Sequence, residues 1–307
     1  MLQNLGLIRR DTVTLWGVII FYAIVAIGLN VLLGYSGLVS LGTAGFMGAG
    51  SYMTSYFTED LGWPFLLSLA VSVLAPTLIG VLVGLVSLRV SGMYLAIATL
   101  AVAEVFRRVF IQLNQFTGGF QGKRASFPTI FGYEFSDRNT TFILLAVILV
   151  ILLILTDNFI HSPVGRALLT MRASESAAQA MGINLLKYKL MAFGLATAYA
   201  ALGGVLNAHF INFSFPDSWN LLLSLQILAV IVIGGMKTIM GPVVGSIIVF
   251  GVPPLILTRL PIIGDIDGLH FIFNGLLIIA VILFYPNGLM QIVYDIKRMF
   301  RKKGAIS

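Results

Sequence analysis

Residues 34–50 read GYSGLVSLGTAGFMGAG, an apolar segment in which glycine recurs every two to five residues. One side of any helix formed here consists of small residues, namely Gly42, Gly45 and Gly48. Such a face lets a neighbouring helix approach closely inside a membrane. The hydroxyls of Ser36, Ser40 and Thr43 could also satisfy backbone groups that a broken helix leaves unpaired. The segment therefore predicts a membrane helix that is interrupted or very closely packed.

The composition of the 307-residue chain predicts a membrane protein nearly from end to end. The chain is 58% apolar and 10% charged, with a mean hydropathy of +0.99, whereas a soluble domain has about 25% charged residues. This balance excludes a soluble enzyme and a disordered tail. The sequence has no cysteine, which excludes disulfides, thiolate metal sites and a cysteine nucleophile. Its three scattered histidines argue against a metal centre.

Long apolar segments give the fold class, because a spanning helix needs about 20 mostly apolar residues. Candidates are residues 15–33, 38–57, 64–86, 90–113, 141–155, 189–211, 221–235, 243–257 and 271–285. Residues 34–50 and the Pro253-Pro254 pair could each hide a break, so about nine spans are expected, within a range of eight to ten. The sequence predicts an all-α polytopic membrane protein, with some helices broken by Gly or Pro.

These segments divide the chain into a flank (residues 1–14), one transmembrane domain (15–291) and a basic tail (292–307). The domain includes an outer loop, residues 114–139, and a loop with a helical pattern, residues 157–188. Placing the second loop in the cytoplasm puts eleven Lys and Arg there and eight outside, as the positive-inside rule favours. The C-terminus is then cytoplasmic, and its tail is expected on lipid rather than nucleic acid. Nine spans leave Arg9 and Arg10 outside, against their preference.

The cytoplasmic loop is predicted to form one helix. Pro163 suits a helix start, and Gly182 suits the left-handed residue just past a helix end. An apolar face recurs at three, four or seven residues: Val164, Leu168, Met171, Ala178 and Met181. The opposite face carries Arg166, Ala173, Ala177 and Gln179. Such a helix could dock a partner protein, with Arg166, Arg172 and Glu175 fixing the register, or could lie on lipid.

A second interrupted segment lies in the other half of the chain, at residues 233–245. It contains Gly234-Gly235 and then Gly241-Pro242. Paired Gly- or Pro-interrupted segments in the two halves of a transporter indicate a substrate route at the repeat interface. Close helix packing followed by a tight turn is the alternative for each segment alone.

Charged residues also occur within the fourth predicted span. Glu104, Arg107 and Arg108 have the three- and four-residue spacing at which a helix neutralises its own charges. An ionisable group at membrane depth also indicates a functional role, here at the outer mouth of a pathway. His209, near a span end, is interpreted as a membrane-interface residue.

No nucleotide-binding signature is found in the sequence. Residues 117–124 contain three glycines and a lysine, but the glycine spacing of a phosphate loop is wrong and Arg124 follows Lys123 where Ser or Thr is required. Any ATP-driven step must therefore be performed by another chain, and no cofactor is expected on this one.

Taken in order, several motifs together resemble the LivM-type permease of branched-chain amino acid ABC importers. They are Gly34-Tyr35-Ser36-Gly37-x-x-Ser40-Leu41-Gly42, the run of residues 94–100 followed by Glu104, Thr117-Gly118-Gly119-x-x-Gly122, Gly165-Arg166-Ala167, Glu175-x-Ala177-Ala178-x-x-x-Gly182-Ile183-Asn184, Gly234-Gly235, Gly241-Pro242-x-x-Gly245 and Pro286-x-Gly288-Leu289. The resemblance covers about residues 23–289. Relatives often have His at the position of Thr43, so the role of that His is not expected in this chain.

The resemblance implies a heterodimer with a LivH-type permease, two cytoplasmic ATPase subunits that bind ATP, and an extracytoplasmic substrate-binding protein. It places the chain in the inner membrane of a prokaryote and makes the cytoplasmic helix a coupling helix. The coupling residues expected are Gly165, Arg166, Arg172, Glu175, Ala177, Ala178, Gly182 and Ile183. The translocation path is expected at Ser36, Gly37, Ser40, Gly42, Phe46, Glu104, Gly234 and Gly235.

Other functions stay open at this point. The same machinery could carry urea, short amides or a pentose sugar, since no residue excludes these cargoes. A stand-alone channel or an intramembrane enzyme is the more distant alternative. No buried catalytic pair is found in the sequence, so the chain is predicted to be a transport subunit rather than an enzyme.

Overall fold

The computed structural model describes residues 10–87, 93–130, 133–135, 137–257, 269–285 and 288–290. Most of this part is helical. The helices are α1 (Arg10–Asn30), α2 (Thr43–Ser55), α3 (Phe65–Ser87), α4 (Met93–Gln112), α5 (Asn114–Thr117), α6 (Arg138–His161), α7 (Pro163–Ala173), α8 (Glu175–Ala180), α9 (Leu185–Ile211), α10 (Leu221–Gly234), α11 (Gly241–Ser246), α12 (Val252–Leu257) and α13 (Leu269–Phe284). The predicted basic tail lies outside the described residues.

The predicted outer loop contains three short strands, and a fourth follows α9. They are β1 (Lys123–Arg124), β2 (Thr129–Ile130), β3 (Tyr133–Glu134) and β4 (Phe213–Ser214). β1 pairs antiparallel with β4, and β2 pairs antiparallel with β3. The β1–β4 pair ties the outer loop to the end of α9, since β4 begins two residues after Ile211.

The glycine-rich segment is a broken helix. α1 continues as a π-helix over Val31–Tyr35, and α2 begins only at Thr43. Between them Gly37 has a φ of 76°, a left-handed conformation that suits glycine. Hydroxyl groups satisfy the amides that the break frees: Leu41 N–H donates to Thr99 Oγ1 (3.0 Å) and Ala44 N–H to Ser224 Oγ (3.0 Å). Of the hydroxyls expected to support the break, Ser36 donates to the Leu32 carbonyl at 2.5 Å and Ser40 accepts from Gly42 N–H at 3.3 Å, which confirms the expectation for these two. Thr99 and Ser224, which lie on other helices, were not expected.

The second interrupted segment is also broken. α10 ends at Gly234 and α11 begins at Gly241, and Gly235 between them has a φ of 117°. By contrast, Pro253 and Pro254 both lie inside α12, so the chain is helical at that pair. A π-helical turn at Ile247–Gly251 precedes them. Such a turn suits the prolines because they have no N–H and their rings crowd the carbonyls four residues earlier.

Each of the nine predicted spans contains a helix, and five helices of the described part are long and apolar enough to cross a membrane. These are Thr12–Tyr35, Phe65–Val86, Arg138–His161, Leu185–Ile211 and Pro216–Gly234. α2 continues as a π-helix over Tyr56–Asp60, is almost wholly buried in protein, and is not among the five. The chain is a polytopic helical membrane protein, and the count of nine crossings stays a prediction.

Helix α9 lies at the centre of the packing, against α1, α2 and α3. Glycines bring α2 and α9 into backbone contact: a Cβ on Gly204 would overlap the carbonyl oxygen of Met47, and one on Gly50 would overlap that of Ala201. The small face predicted from Gly42, Gly45 and Gly48 packs on α4, where a Cβ on Gly45 would lie 2.8 Å from the Cα of Ala103. Small residues therefore set the distances between these helices.

His209 is a structural residue rather than the interface residue expected from its position. Only 1% of its surface is exposed. Its Nε2 lies 2.8 Å from Thr54 Oγ1 and its Nδ1 lies 2.6 Å from the carbonyl oxygen of Ser126. The expectation was wrong because two partners distant in sequence satisfy this ring inside the protein, where no local pattern reveals them.

We predict that Gly204→Ala lowers the apparent melting temperature of the detergent-purified protein by about 5 °C or more. The added methyl group has no room against the backbone of α2, and overpacking of this kind costs about 1–3 kcal/mol. Gly275→Ala in α13 is the control, because a Cβ added to Gly275 would have no atom within 4 Å. Equal melting temperatures for the two variants would contradict the close α2–α9 contact.

Candidate functional site: the α7–α8 segment and the paired helix breaks

The predicted cytoplasmic helix consists of two helices, which form the α7–α8 segment (residues 162–183). Ser162 caps α7, accepting a hydrogen bond from Val164 N–H at 3.2 Å. Ser174 is extended, with φ −161° and ψ 116°, and caps α8 by accepting from Ala177 N–H at 3.2 Å. The prediction of one continuous helix was therefore wrong. Serine favours the N-cap over the helix interior, so Ser174 starts a new helix.

The predicted end of the segment is confirmed. Gly182 has a φ of 79°. Ile183 N–H donates to the Ala178 carbonyl at 3.0 Å, and Gly182 N–H donates to that of Gln179 at 2.9 Å. This closed C-terminus needs a left-handed residue after the helix, which glycine supplies without steric cost. The turn directs the chain from α8 into α9.

The inner face of the α7–α8 segment packs on the membrane helices. Leu168, Met171 and Ala178 are buried there, as the apolar pattern predicts, but Met181 is exposed. Gly165 lies so close to the end of α6 that a Cβ would overlap the carbonyl oxygen of Ile160. Of the predicted coupling residues, Gly165 and Ala178 therefore hold the segment in place.

Two of the predicted coupling charges are used within the chain. A guanidinium nitrogen of Arg172 donates to the carbonyl oxygen of Gly34, at the break after α1. The stem of the same side chain lies beside Gly37. Glu175 forms an ion pair of 2.7 Å with Lys189 at the start of α9. Arg172 and Glu175 thus connect the α7–α8 segment to the first break and to α9.

The outer face of the α7–α8 segment is exposed and mostly small or apolar. It comprises Arg166, Ala173, Ala177, Gln179 and Met181. Met181 is 75% exposed and Leu186 nearby is 48% exposed. A groove of about 410 Å³ lies beside this face, between Gln179 and Lys189, and Ile183 contributes to its lining. Exposed apolar side chains next to a groove are typical of a surface that another protein covers.

The two helix breaks are joined by hydrogen bonds. Asn30, 2% exposed, donates from Nδ2 to the Thr238 carbonyl at 2.9 Å and accepts at Oδ1 from Lys237 N–H at 3.3 Å. Tyr35 donates its hydroxyl hydrogen to the Lys237 carbonyl at 2.7 Å. These bonds satisfy backbone groups of the second break that lie outside any helix and have no helical partner. We call this the break junction.

Sequence reasoning missed the break junction, although it singled out both glycine segments. The available signal was Asn30, a lone amide in an otherwise apolar helix, because such residues hydrogen-bond between helices. Tyr35 and Lys237 gave no comparable signal. Lys237 has a φ of 64°, a conformation that few non-glycine residues adopt.

Most of the predicted path residues on the two glycine-rich segments are packed against other helices and line no open channel among the described residues. Ser36, Ser40 and Phe46 are 6%, 5% and 1% exposed. Ser40 and Phe46 line a cavity of about 10 Å³, enough for one water molecule at most. Gly42 packs on Thr99, Gly234 on Gly241, and Gly235 on Gly288, whereas Gly37 is exposed. Their role in transport stays a prediction.

Glu104 lies on the surface of α4 and pairs with both arginines. Its carboxylate accepts from Arg107 at 2.8 and 2.9 Å and from Arg108 at 3.0 Å. The self-neutralising pair is thus confirmed. The exposed part of α4 also carries Tyr94, Ile97 and Val105, each more than half exposed. This mixed face differs from the exposed faces of α3 and α6, which are rich in Leu, Ile and Val.

We predict that Asn30→Leu speeds amide hydrogen exchange in residues 235–240 about tenfold. The substitution removes two part-buried hydrogen bonds, from the Lys237 N–H and to the Thr238 carbonyl, and the loss of two such bonds costs about 1–3 kcal/mol. Asn139→Leu is the control, because its amide bonds only to Asp137 two residues away. Unchanged exchange in residues 235–240 of Asn30→Leu would show that the junction does not hold the second break.

Similarity to known proteins identifies the family to which this chain belongs. Residues 12–284 match the family described as branched-chain amino acid transport system / permease component. The high-affinity branched-chain amino acid transport system permease protein LivM of Escherichia coli is 30% identical over 92% of this chain and 71% of its own length. Its counterpart in Salmonella typhimurium is 29% identical over the same shares.

A more distant relative is the ribose import permease protein RbsC of Haemophilus influenzae, 25% identical over 74% of this chain and 71% of its own length. No solved structure matches the chain. The match over residues 12–284 and the identity to the LivM proteins show that this chain belongs to the family of branched-chain amino acid transport permeases.

Proposed function

We propose that this chain forms one membrane half of an ABC importer for branched-chain amino acids. A LivH-type permease forms the other half, two cytoplasmic ATPase subunits drive the cycle, and an extracytoplasmic binding protein delivers the amino acid. The names of the LivM relatives support this cargo. This chain binds no ATP in the proposal and acts as a transport subunit rather than an enzyme. It lies in the inner membrane of a prokaryote with its C-terminus in the cytoplasm.

The α7–α8 segment is the observation that carries this proposal. Its inner face is fastened to the membrane helices, while its outer face offers Ala177 and Met181 beside a groove. Small side chains let a partner backbone approach, and Arg166 on the exposed side is available for a charged hydrogen bond. A surface of this kind suits the ATPase subunit, because a force applied to it passes directly to the membrane helices.

The proposed mechanism is alternating access. ATP-driven closure of the ATPase subunits displaces the α7–α8 segment. Arg172 transmits this displacement to the first break through Gly34, and Asn30 transmits it to the second break through Lys237 and Thr238. Helix breaks are places where a packed bundle can change between two arrangements, since they interrupt the rigid backbone ladder. The spans on either side then tilt and open the path inward.

The mixed face of α4 is proposed to meet the LivH-type permease and the path between the two chains. Glu104 and Arg108 are exposed there with Tyr94 and Ile97. Charged residues at membrane depth normally face a water-filled cavity or another protein rather than lipid. The exposed faces of α3 and α6 are suited to lipid. The binding protein would dock at the outer loop, near residues 114–139, and discrimination between cargoes would lie mainly in that protein.

We predict that Gly182→Ala reduces amino acid uptake by the complete assembly about fivefold or more while ATP hydrolysis continues. A side chain at a φ of 79° costs about 1–2 kcal/mol, which disturbs the end of α8 where the ATPase docks. Uptake and hydrolysis would be measured together in proteoliposomes that contain all partners.

Gly62→Ala is the matched control. Gly62 has a φ of 62°, and neither glycine has an atom within 4 Å of the position of an added Cβ, so both substitutions strain the backbone without a clash. Gly62 lies between α2 and α3, away from the α7–α8 segment. Equal loss of uptake in both variants would assign the effect to general strain, and normal coupling in Gly182→Ala would reject the docking role.

Sugar import is the second candidate cargo, because the ribose import permease RbsC is also a relative. We predict that the reconstituted assembly accumulates radiolabelled leucine in an ATP-dependent manner and does not accumulate ribose. The measurement needs the cognate binding protein, since that protein selects the cargo. Ribose uptake without leucine uptake would overturn the proposed substrate class and leave the importer mechanism intact. Uptake without ATP would favour a channel.

A further inference from the structure

A groove of about 760 Å³ opens where α6 ends, between α7 and the second helix break. We call it the basic groove. The wall that α6 contributes is apolar and includes Leu153 and Ile154. Its rim carries Arg166 of α7 and Lys237 of the break, together with the Asp157–His161 pair. The proposed function uses residues of this lining, such as Arg166 and Lys237, but assigns no ligand to the groove.

The polarity of the groove changes along the axis of α6. Seven residues separate Ile154 from His161, which corresponds to about 10 Å of helix. α6 is one of the helices able to cross a membrane, and Ile154, 57% exposed, lies two turns before its end. The apolar wall is therefore at the depth of acyl chains, and the charged rim is at the depth of headgroups.

The rim has an excess of positive charge. Asp157 lies beside His161, whose Nδ1 is 3.3 Å from the Asp157 carboxylate and 2.9 Å from the Asp157 carbonyl oxygen, so two basic side chains, Arg166 and Lys237, stand against this single carboxylate. Arg166 donates to the carbonyl oxygen of His161 at 3.2 Å and has no ion-pair partner within the described residues. The exposed side chain of Lys237 also has no ion-pair partner within the described residues. Two cations, Arg166 and Lys237, thus face the groove together with the one carboxylate of its described lining, Asp157.

The backbone holds Lys237 at this position against its own preference. A φ of 64° for a lysine costs of order 1–3 kcal/mol and persists only where the surroundings enforce it. The enforcing bonds are those of the break junction, from Asn30 and Tyr35. Glycine or asparagine would fit this backbone more easily.

We propose that the basic groove binds one anionic phospholipid. Its phosphate lies between Arg166 and Lys237, and one acyl chain follows the wall formed by Leu153 and Ile154. Basic pockets between membrane helices are known to suit anionic headgroups, and the depth profile of this groove fits a molecule with a charged head and a long apolar tail. Bound there, the lipid bridges the α7–α8 segment and the second helix break.

The test uses the purified permease assembly, without ATPase subunits, delipidated and then mixed with dioleoyl-phosphatidylglycerol or dioleoyl-phosphatidylcholine. Retained lipid is counted by native mass spectrometry. We expect a preference for phosphatidylglycerol that falls about fivefold in Lys237→Asn, the effect of one basic side chain near an anionic headgroup. Asparagine accepts a positive φ, so the backbone of the break is kept.

Two control variants make the result specific. Lys237→Arg should keep the preference, because it keeps the charge. Lys187→Asn should also keep it, because Lys187 is an exposed lysine that does not line the groove. Equal retention of phosphatidylglycerol by the original protein and Lys237→Asn would overturn the proposal.

A competition experiment distinguishes a lipid in the basic groove from a free anion or a protein partner. Inorganic phosphate at millimolar concentration should not displace the lipid, because the apolar wall contributes to its binding. Displacement by phosphate, or by added ATPase subunit, would overturn the proposal and assign the groove to a free anion or to the protein partner. Leucine uptake is not part of this readout, so failure here leaves the proposed function untouched.

Discussion

The structure depends on one constraint: a backbone that leaves the helix inside a packed bundle must find partners for its N–H and carbonyl groups within the protein. The break after α10 meets this constraint through side chains at the break after α1, because Asn30 and Tyr35 bond to the backbone of residues 237 and 238. The break after α1 is in turn supported by the hydroxyls of Thr99 and Ser224 on other helices. Each hydrogen bond of this kind contributes about 0.5–1.5 kcal/mol. The two halves of the chain are therefore linked at their least regular points.

The α7–α8 segment is attached to this junction and not merely placed near it. Arg172 reaches the Gly34 carbonyl, and Gly165 allows α7 to start directly against the end of α6. The residues of the outer face make few of these contacts, so the surface that a partner would touch is separate from the surface that anchors the segment. This division explains how an external force can reach the breaks without passing through a flexible loop.

Much of this architecture could be predicted from the sequence. Long apolar runs predicted the nine helical segments, the glycines predicted both breaks, and Pro163 and Gly182 predicted the two ends of the α7–α8 segment. The rest depends on contacts distant in sequence. Ser174 caps a second helix inside a pattern that also fits one helix, the hydroxyls of Thr99 and Ser224 serve a break elsewhere, and His209 is satisfied by Thr54 and Ser126. The positive φ of Lys237 follows from the junction and has no local cause.

The proposed mechanism requires that the second break follows the α7–α8 segment when that segment is displaced. The natural absence of cysteine allows paired spin labels at Ser176→Cys and Met240→Cys, with distances measured by double electron–electron resonance in the complete assembly. Between the resting and ATP-trapped states this distance should change by less than about 2 Å, the size of an ordinary helix shift. The distance from Ser176→Cys to a label at Phe120→Cys in the outer loop should change by more. A large change in the first distance, with the second constant, would contradict the account.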